Sequence, residues 1–166
     1  LIIENSHDPI SLHSLDGGYT YANPIHAEVL GYTVDELMDM PAEQAMGMIH
    51  PEDMMVALPV YQRVINGESV TRAEFRMVRK DGATVWVLLT AVPIRNEQGQ
   101  VTQIMGMTRD ITDRKRTEAA LLHSETLMRE VLDSVEDVVW SITIPDSKPL
   151  YVSSAVQTIT GRSIEE

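Results

Sequence analysis

Glu74-Phe75-Arg76-Met77-Val78-Arg79-Lys80-Asp81-Gly82, followed by Val85-Trp86-Val87-Leu88-Leu89-Thr90-Ala91-Val92, sets the class of this 166-residue chain. Residues 70–79 alternate apolar and polar side chains, the period-2 pattern of a half-buried strand. Asp81-Gly82 is a hairpin turn, because glycine reaches the positive φ such turns need. The run after it is rich in β-branched and aromatic residues, which suit a pleated surface. Toward the C-terminus, Asn96-Glu97-Gln98-Gly99 marks a second turn and residues 101–111 a third strand. Toward the N-terminus, residues 9–14 and 19–22 flank Leu15-Asp16-Gly17-Gly18 as another hairpin.

Small helices fill the middle. Asn23-Pro24 opens one, Ile25, Val29 and Leu30 sit at helical spacing, and Gly31 is its C-terminal stop. A second covers residues 34–38, while residues 40–50 read as short and irregular. Pro51-Glu52-Asp53 starts a longer helix with proline in the first turn and two acids at the positive dipole end. Met54, Leu58, Tyr61 and Ile65 mark its expected buried face, and Pro59 predicts a kink or two short helices. Two strands, small helices, then three strands make an α+β layout with an antiparallel sheet.

Thr112 reads as the N-cap of a last helix over residues 113–136, which lack Gly and Pro. Leu121, Ser124, Met128, Val131 and Val135 alternate steps of three and four, like a coiled-coil seam. This helix either packs on its own domain or connects two copies of the chain. Residues 137–166 then repeat the head of the sequence. Tyr21 aligns with Tyr151 and Gly31 with Gly161 at an offset of 130, and the segment before the hairpin aligns at 129. The division is therefore 1–112 first domain, 113–136 helix, and 137–166 the first quarter of a second copy.

Composition narrows the chemistry. There are 13 Lys+Arg against 25 Asp+Glu, a net charge of −12, which disfavours contact with nucleic acid. With no cysteine there is no disulfide, thiolate metal site or cysteine nucleophile. His7, His13, His26, His50 and His123 form no HxH or HxxxH pair, so no metal site is expected. Gly17-Gly18 lies between strands with no P-loop lysine after it, and no Ser-His-Asp arrangement exists. No apolar run is long enough to cross a bilayer.

Four blocks in order carry a family resemblance. They are Tyr21-Ala22-Asn23-Pro24 with Val29-Leu30-Gly31-Tyr32-Thr33 and Glu36-Leu37; Ile49-His50-Pro51-Glu52-Asp53; the 74–82 block with Trp86; and Gly106-Met107-Thr108-Arg109-Asp110-Ile111-Thr112-Asp113-Arg114-Lys115. Together they resemble a PAS sensor domain with its C-terminal PAC portion, followed by a signalling helix and the start of a second PAS domain. Bacterial sensor histidine kinases and diguanylate cyclases have this arrangement. The resemblance implies a PAS fold: a five-stranded antiparallel sheet with small helices on one face, plus a C-terminal linker helix. It implies signal input in a cytoplasmic protein, not catalysis by this fragment.

The resemblance also places the site. Its pocket would be lined by Phe75, Met77, Val87, Leu89, Ile104 and Thr108 from the strands, and by Ile25, Val29, Leu37, Met46, Leu58 and Tyr61 from the helices. Seven of the ten methionines fall in residues 38–77, either as an adaptable ligand lining or as a loosely specified core. Trp86, Leu88, Met105 and Met107 would form an apolar outer face needing a cover: the helix at 121–135, residues 1–6, or a partner. Asp110, Ile111, Thr112 and Asp113 would relay the signal, with Arg76, Arg79 and Arg109 available to pair Asp110. The light-sensing flavin chemistry of the family needs a cysteine, and its haem-binding members place a histidine where Leu58 stands here, so neither mode is expected. A noncovalent flavin or a small apolar ligand stays open, as do a homodimer through the linker helix and outer sheet face and a ligand-free dimerisation or spacer role.

Overall fold

Alternation along the strands builds one sheet with an apolar inner face. β1 (Ile10–Ser14), β2 (Tyr19–Ala22), β3 (Val70–Val78), β4 (Thr84–Arg95) and β5 (Val101–Asp110) lie in the order β2-β1-β5-β4-β3, every neighbouring pair antiparallel. The computed structural model describes residues 8–134, 138–153 and 155–160, the side chains of residues 133, 158 and 160 aside. The chain divides into two compact units, residues 1–115 and 116–166.

Phe75, Met77, Val85, Val87, Ala91, Ile104 and Thr108 are buried on the inner face, while Trp86, Leu88, Met105 and Met107 are half-buried on the other. β3 carries a bulge: its register slips between Val70 and Ala73, where Arg72 takes a φ of 62°. Pro93 is tolerated within β4 because it lies past Ala91, the last residue that pairs with β3.

Four helices pack between β2 and β3. α1 (Pro24–Leu30) is capped by Asn23, whose side-chain Oδ1 accepts from the His26 N–H at 3.0 Å, and ends at Gly31 with φ 75°. α2 (Val34–Met38) has a capping box, with Thr33 accepting from Glu36 N–H and Glu36 accepting from Thr33 N–H. α3 (Ala42–Gly47) occupies the stretch expected to be irregular; at six residues it is too short for periodicity to reveal. Pro51–Asp53 form a 3-10 turn, and α4 (Met54–Ile65) follows.

α4 answers the sequence reading on two points: it is not divided into two helices at Pro59, and it turns Leu58 outward. It continues through Pro59 as one helix; Pro59 and Met55, one turn earlier, are both exposed, so water can reach the carbonyl that proline leaves without a donor. Its buried residues are Ala57 and Val64, one step from Leu58 and Ile65 of the expected Met54-Leu58-Tyr61-Ile65 face; Tyr61 and Ile65 still pack half-buried against the core, and Leu58 is 41% exposed.

α5 (Thr112–Ser134) begins where β5 ends. Thr112 is its first helical residue rather than its cap. The Asp110 carboxylate accepts from Thr112 N–H at 2.7 Å, and the Thr112 hydroxyl accepts from Trp86 N–H at 3.0 Å. In the second unit, β6 (Trp140–Ile142) pairs antiparallel with β7 (Pro149–Val152), and α6 (Ala155–Thr160) follows. The expected cover at residues 1–6, the seam position Val135 and the Gly161 match lie outside the described residues.

Candidate functional site

Small side chains hold the inner face open. Ala45 of α3, Ala57 of α4, Ala91 of β4 and Gly106 of β5 border a cavity of about 110 Å³. A Cβ on Gly106 would stand 3.3 Å from the Ser11 hydroxyl and 3.5 Å from Leu89. At Gly17, φ is +96°, and a Cβ would press on Met46 at 3.1 Å. The positive φ favours glycine at Gly17, and a larger residue there would also require Met46 to shift.

Seven residues expected in the pocket border this cavity: Met46, Tyr61, Phe75, Met77, Leu89, Ile104 and Thr108. Five lie elsewhere. Leu37 and Val87 are fully buried in the core cluster beside it, Ile25 and Val29 are half-buried on α1, and Leu58 is turned outward on α4. Leu37 and Val87 point inward as expected but fill the core beside the cavity, whereas Ile25, Val29 and Leu58 are displaced because the buried faces of α1 and α4 are rotated from the expected ones. On α1 the buried positions are His26, Ala27 and Leu30, which brings an imidazole inward where Ile25 and Val29 were expected.

That imidazole belongs to a polar corner the sequence reading missed. The His13 ring sits between Ser11 and Gly17: its Nδ1–H donates to the Gly17 carbonyl at 3.2 Å, and Nε2 accepts from the Ser11 hydroxyl at 3.0 Å. The Tyr19 ring packs on His13 at 4.4 Å between centroids, and its hydroxyl lies 3.1 Å from His26 Nε2. Ser11, His13, Gly17, Tyr19 and His26 all line the cavity. Burial pushes His26 down to about 3, with a further push from His13, and burial also lowers His13, so both rings are neutral at pH 7. Burial raises the Tyr19 phenol. Asn23 was the available signal: as N-cap of α1 it also accepts from Ile10 N–H at 3.0 Å, fixing the helix to β1 and His26 to the cavity. Across the opening, the Tyr61 hydroxyl donates to the Leu15 carbonyl at 2.8 Å, tying α4 to the β1–β2 turn.

The strands that line the cavity converge on the start of α5. From β3, Glu74 pairs with Arg114 and Lys115, each at 2.7 Å, and these hydrogen bonds hold its carboxyl down at about 2. From β4, Trp86 accepts the Ile111 N–H at 2.9 Å and gives its own N–H to Thr112. Its indole has Arg76 at 5.4 Å and Lys115 at 5.1 Å from the ring centre. The arginines expected near Asp110 go elsewhere: Arg76 to Asp53 and Glu52, Arg109 to Asp8, and Arg79 to the Glu28 carbonyl. Ile111 is buried. Among the described residues there is no cluster of metal-ligating side chains and no helix long and apolar enough to cross a membrane.

Comparison with known proteins gives one family. The PAS fold matches residues 19–108. A solved sensory box histidine kinase/response regulator from Burkholderia thailandensis is 25% identical at a TM-score of 0.60, covering 78% of this chain and 95% of that one. A probable diguanylate cyclase of Escherichia coli is 29% identical over 110 residues, 66% of this chain and 10% of the cyclase. A voltage-gated delayed rectifier potassium channel of Homo sapiens is 33% identical over 92 residues, 55% of this chain and 9% of the channel. The chain thus spans about a tenth of the length of these curated relatives.

Proposed function

The chain belongs to the PAS fold family, a family of sensory modules rather than catalysts, and on that basis we propose how it signals. Occupancy of the cavity between the sheet and α3–α4 is relayed through β3, β4 and the Asp110-Ile111-Thr112-Asp113 junction to α5. From there it passes to an output domain of histidine kinase or diguanylate cyclase type in a cytoplasmic protein. The observation that carries this reading is the shared use of single strands. Leu89 borders the cavity while Trp86, three residues earlier on β4, holds both Ile111 and Thr112. On β3, Phe75 borders the cavity while Glu74 holds Arg114 and Lys115. A ligand shifts the helix only if it binds the two arrangements with different affinity. The test is Ala91→Leu, which fills the cavity without a ligand. The expected result is altered hydrogen exchange at the Ile111 and Lys115 amides; unchanged exchange with the cavity filled overturns the relay.

We further propose the division 1–112, 113–136 and 137–166, with the last segment opening a second PAS domain. Support comes from register. Ser11↔Ala22, Leu12↔Tyr21 and His13↔Tyr19, with a break after Leu12, parallel Trp140↔Val152, Ser141↔Tyr151 and Ile142↔Pro149, with a break after Ser141. The Asn23 side chain accepts from Ile10 N–H while Asn23 N–H donates to the Ile10 carbonyl; Ser153 does the same with Val139.

A second reading is a homodimer formed through the linker helix and the outer sheet face. Leu121, Met128 and Val131 favour it, being large apolar side chains exposed at seam spacing on α5.

A further inference from the structure

The cavity leaves one atom of its polar corner unpaired. His26 is 2% exposed and lines the cavity, and its Nδ1 is buried with no hydrogen-bonding partner among the described residues. Among the described residues its other nitrogen meets only the Tyr19 hydroxyl, which leaves two proton placements. If Nε2–H donates to Tyr19, both the phenolic hydrogen and the Nδ1 lone pair are left buried without partners. If the Tyr19 O–H donates to Nε2, only the Nδ1–H is left. Each unsatisfied buried group costs free energy, so the second placement wins. His13 does not compete, since the Gly17 carbonyl and the Ser11 hydroxyl use both of its nitrogens.

We propose that the cavity takes a small, neutral, mostly apolar ligand about the size of one aromatic ring, whose hydrogen-bond acceptor meets the Nδ1–H of His26. The inference rests on the ligand-sensing reading above and adds the chemical class. Size follows from the volume: an apolar cavity of about 150 Å³ holds benzene, and here about 110 Å³ is bordered by the flexible side chains of Met46 and Met77. Neutrality follows from the walls, where no lining residue is charged at pH 7, so an ionic ligand would be buried without a counter-charge. The acceptor follows from the proton count at His26. Phe75, Leu89 and Ile104 supply the apolar surroundings, and the buried Thr108 hydroxyl gives a second polar point on β5.

Pyridine and benzene make the test, because they share one shape and differ by a single ring acceptor. The 166-residue chain is titrated with each at pH 8, where pyridine is neutral, by calorimetry and by nitrogen-15 NMR of the imidazoles. The expected result is a protonated Nδ1 on His26 whose resonance moves with pyridine and not with benzene, and a Kd for pyridine at least tenfold lower. His26→Phe should weaken pyridine at least tenfold and leave benzene unchanged. The NMR measurement on the unaltered chain decides even if that variant does not fold. Equal binding of the two, or a bare Nδ1, overturns the acceptor assignment while the sensing reading stands. If neither molecule enters, the ligand class falls, and the sensing reading is decided separately by Ala91→Leu.

Discussion

Asp53 and Arg76 face each other in a two-pronged ion pair, Nε to Oδ2 at 2.9 Å and Nη2 to Oδ1 at 2.7 Å. Oδ2 also accepts the Arg76 backbone N–H at 2.7 Å. One carboxylate therefore joins the entry of α4 to both the backbone and the side chain of β3, and α4 walls the cavity.

The first prediction concerns that carboxylate. The Arg76 guanidinium holds Asp53 below the usual carboxylate value. Its stabilising effect is therefore present above about pH 4 and fades as pH falls through its lowered value. Asp53→Ala should lower the urea midpoint at pH 7 and make a smaller difference at pH 3. An equal difference at both would mean the ion pair is not the source.

The rotated face of the helices gives a second. Leu37 is fully buried and Leu58 exposed. Leu37→Ala should cost about 3 kcal/mol, and Leu58→Ala about 0.5 kcal/mol or less. Comparable losses in urea melts would restore the Leu58 face.

His26 makes stability depend on pH in a separate window. Its folded value of about 3 lies below the ordinary 6.5, so the unfolded chain binds the extra proton. Stability is complete above pH 6.5 and should fall as pH drops toward 3, by about 1.4 kcal/mol per unit for each such histidine. His13 adds in the same direction. Between pH 6.5 and 5 the usual carboxylates are still ionised, so a flat urea midpoint there would contradict the buried neutral ring.

At the junction, Thr112→Val removes the acceptor of the Trp86 N–H. The expected cost is about 1 kcal/mol, with faster hydrogen exchange at Ile111 and Lys115. Asp110→Ala removes the carboxylate bonded to the Thr112 N–H and should change the activity of an output domain joined after α5, while thermal unfolding stays cooperative. Unaltered output from both variants would remove the junction from the signal path.

For the homodimer, Met128→Glu places a charge in the exposed seam of α5. Sedimentation should show the wild-type chain associating with concentration and the variant not. A monomeric wild type at high concentration would end that reading.

Much of the architecture was readable because the signals are local. The Asp81-Gly82 turn, the alternation through Val85–Val92 and the Asn23–Gly31 punctuation each specify an element within a few residues. The cavity was only partly readable. Strand alternation put Phe75, Met77, Leu89, Ile104 and Thr108 on one face because a period of two leaves little room for error. Helical faces are softer. A step of one residue turns a helix by about 100°, enough to swap Leu58 for Ala57 and Ile25 for His26. The polar corner was hidden for another reason: Ser11, His13, Tyr19 and His26 come from three elements, and only folding brings them together.

The setting of Trp86 has an experimental consequence of its own. Its indole is flanked by one cation from the sheet and one from the first turn of α5. The chain's other tryptophan, Trp140, is 62% exposed and belongs to the second unit. Movement of the α5 first turn carries Lys115 away from the ring and alters the electric field across it, so the emission of Trp86 is a built-in optical gauge of helix departure. With Trp140→Phe in the background, the proposed relay can be tested in real time without any added label.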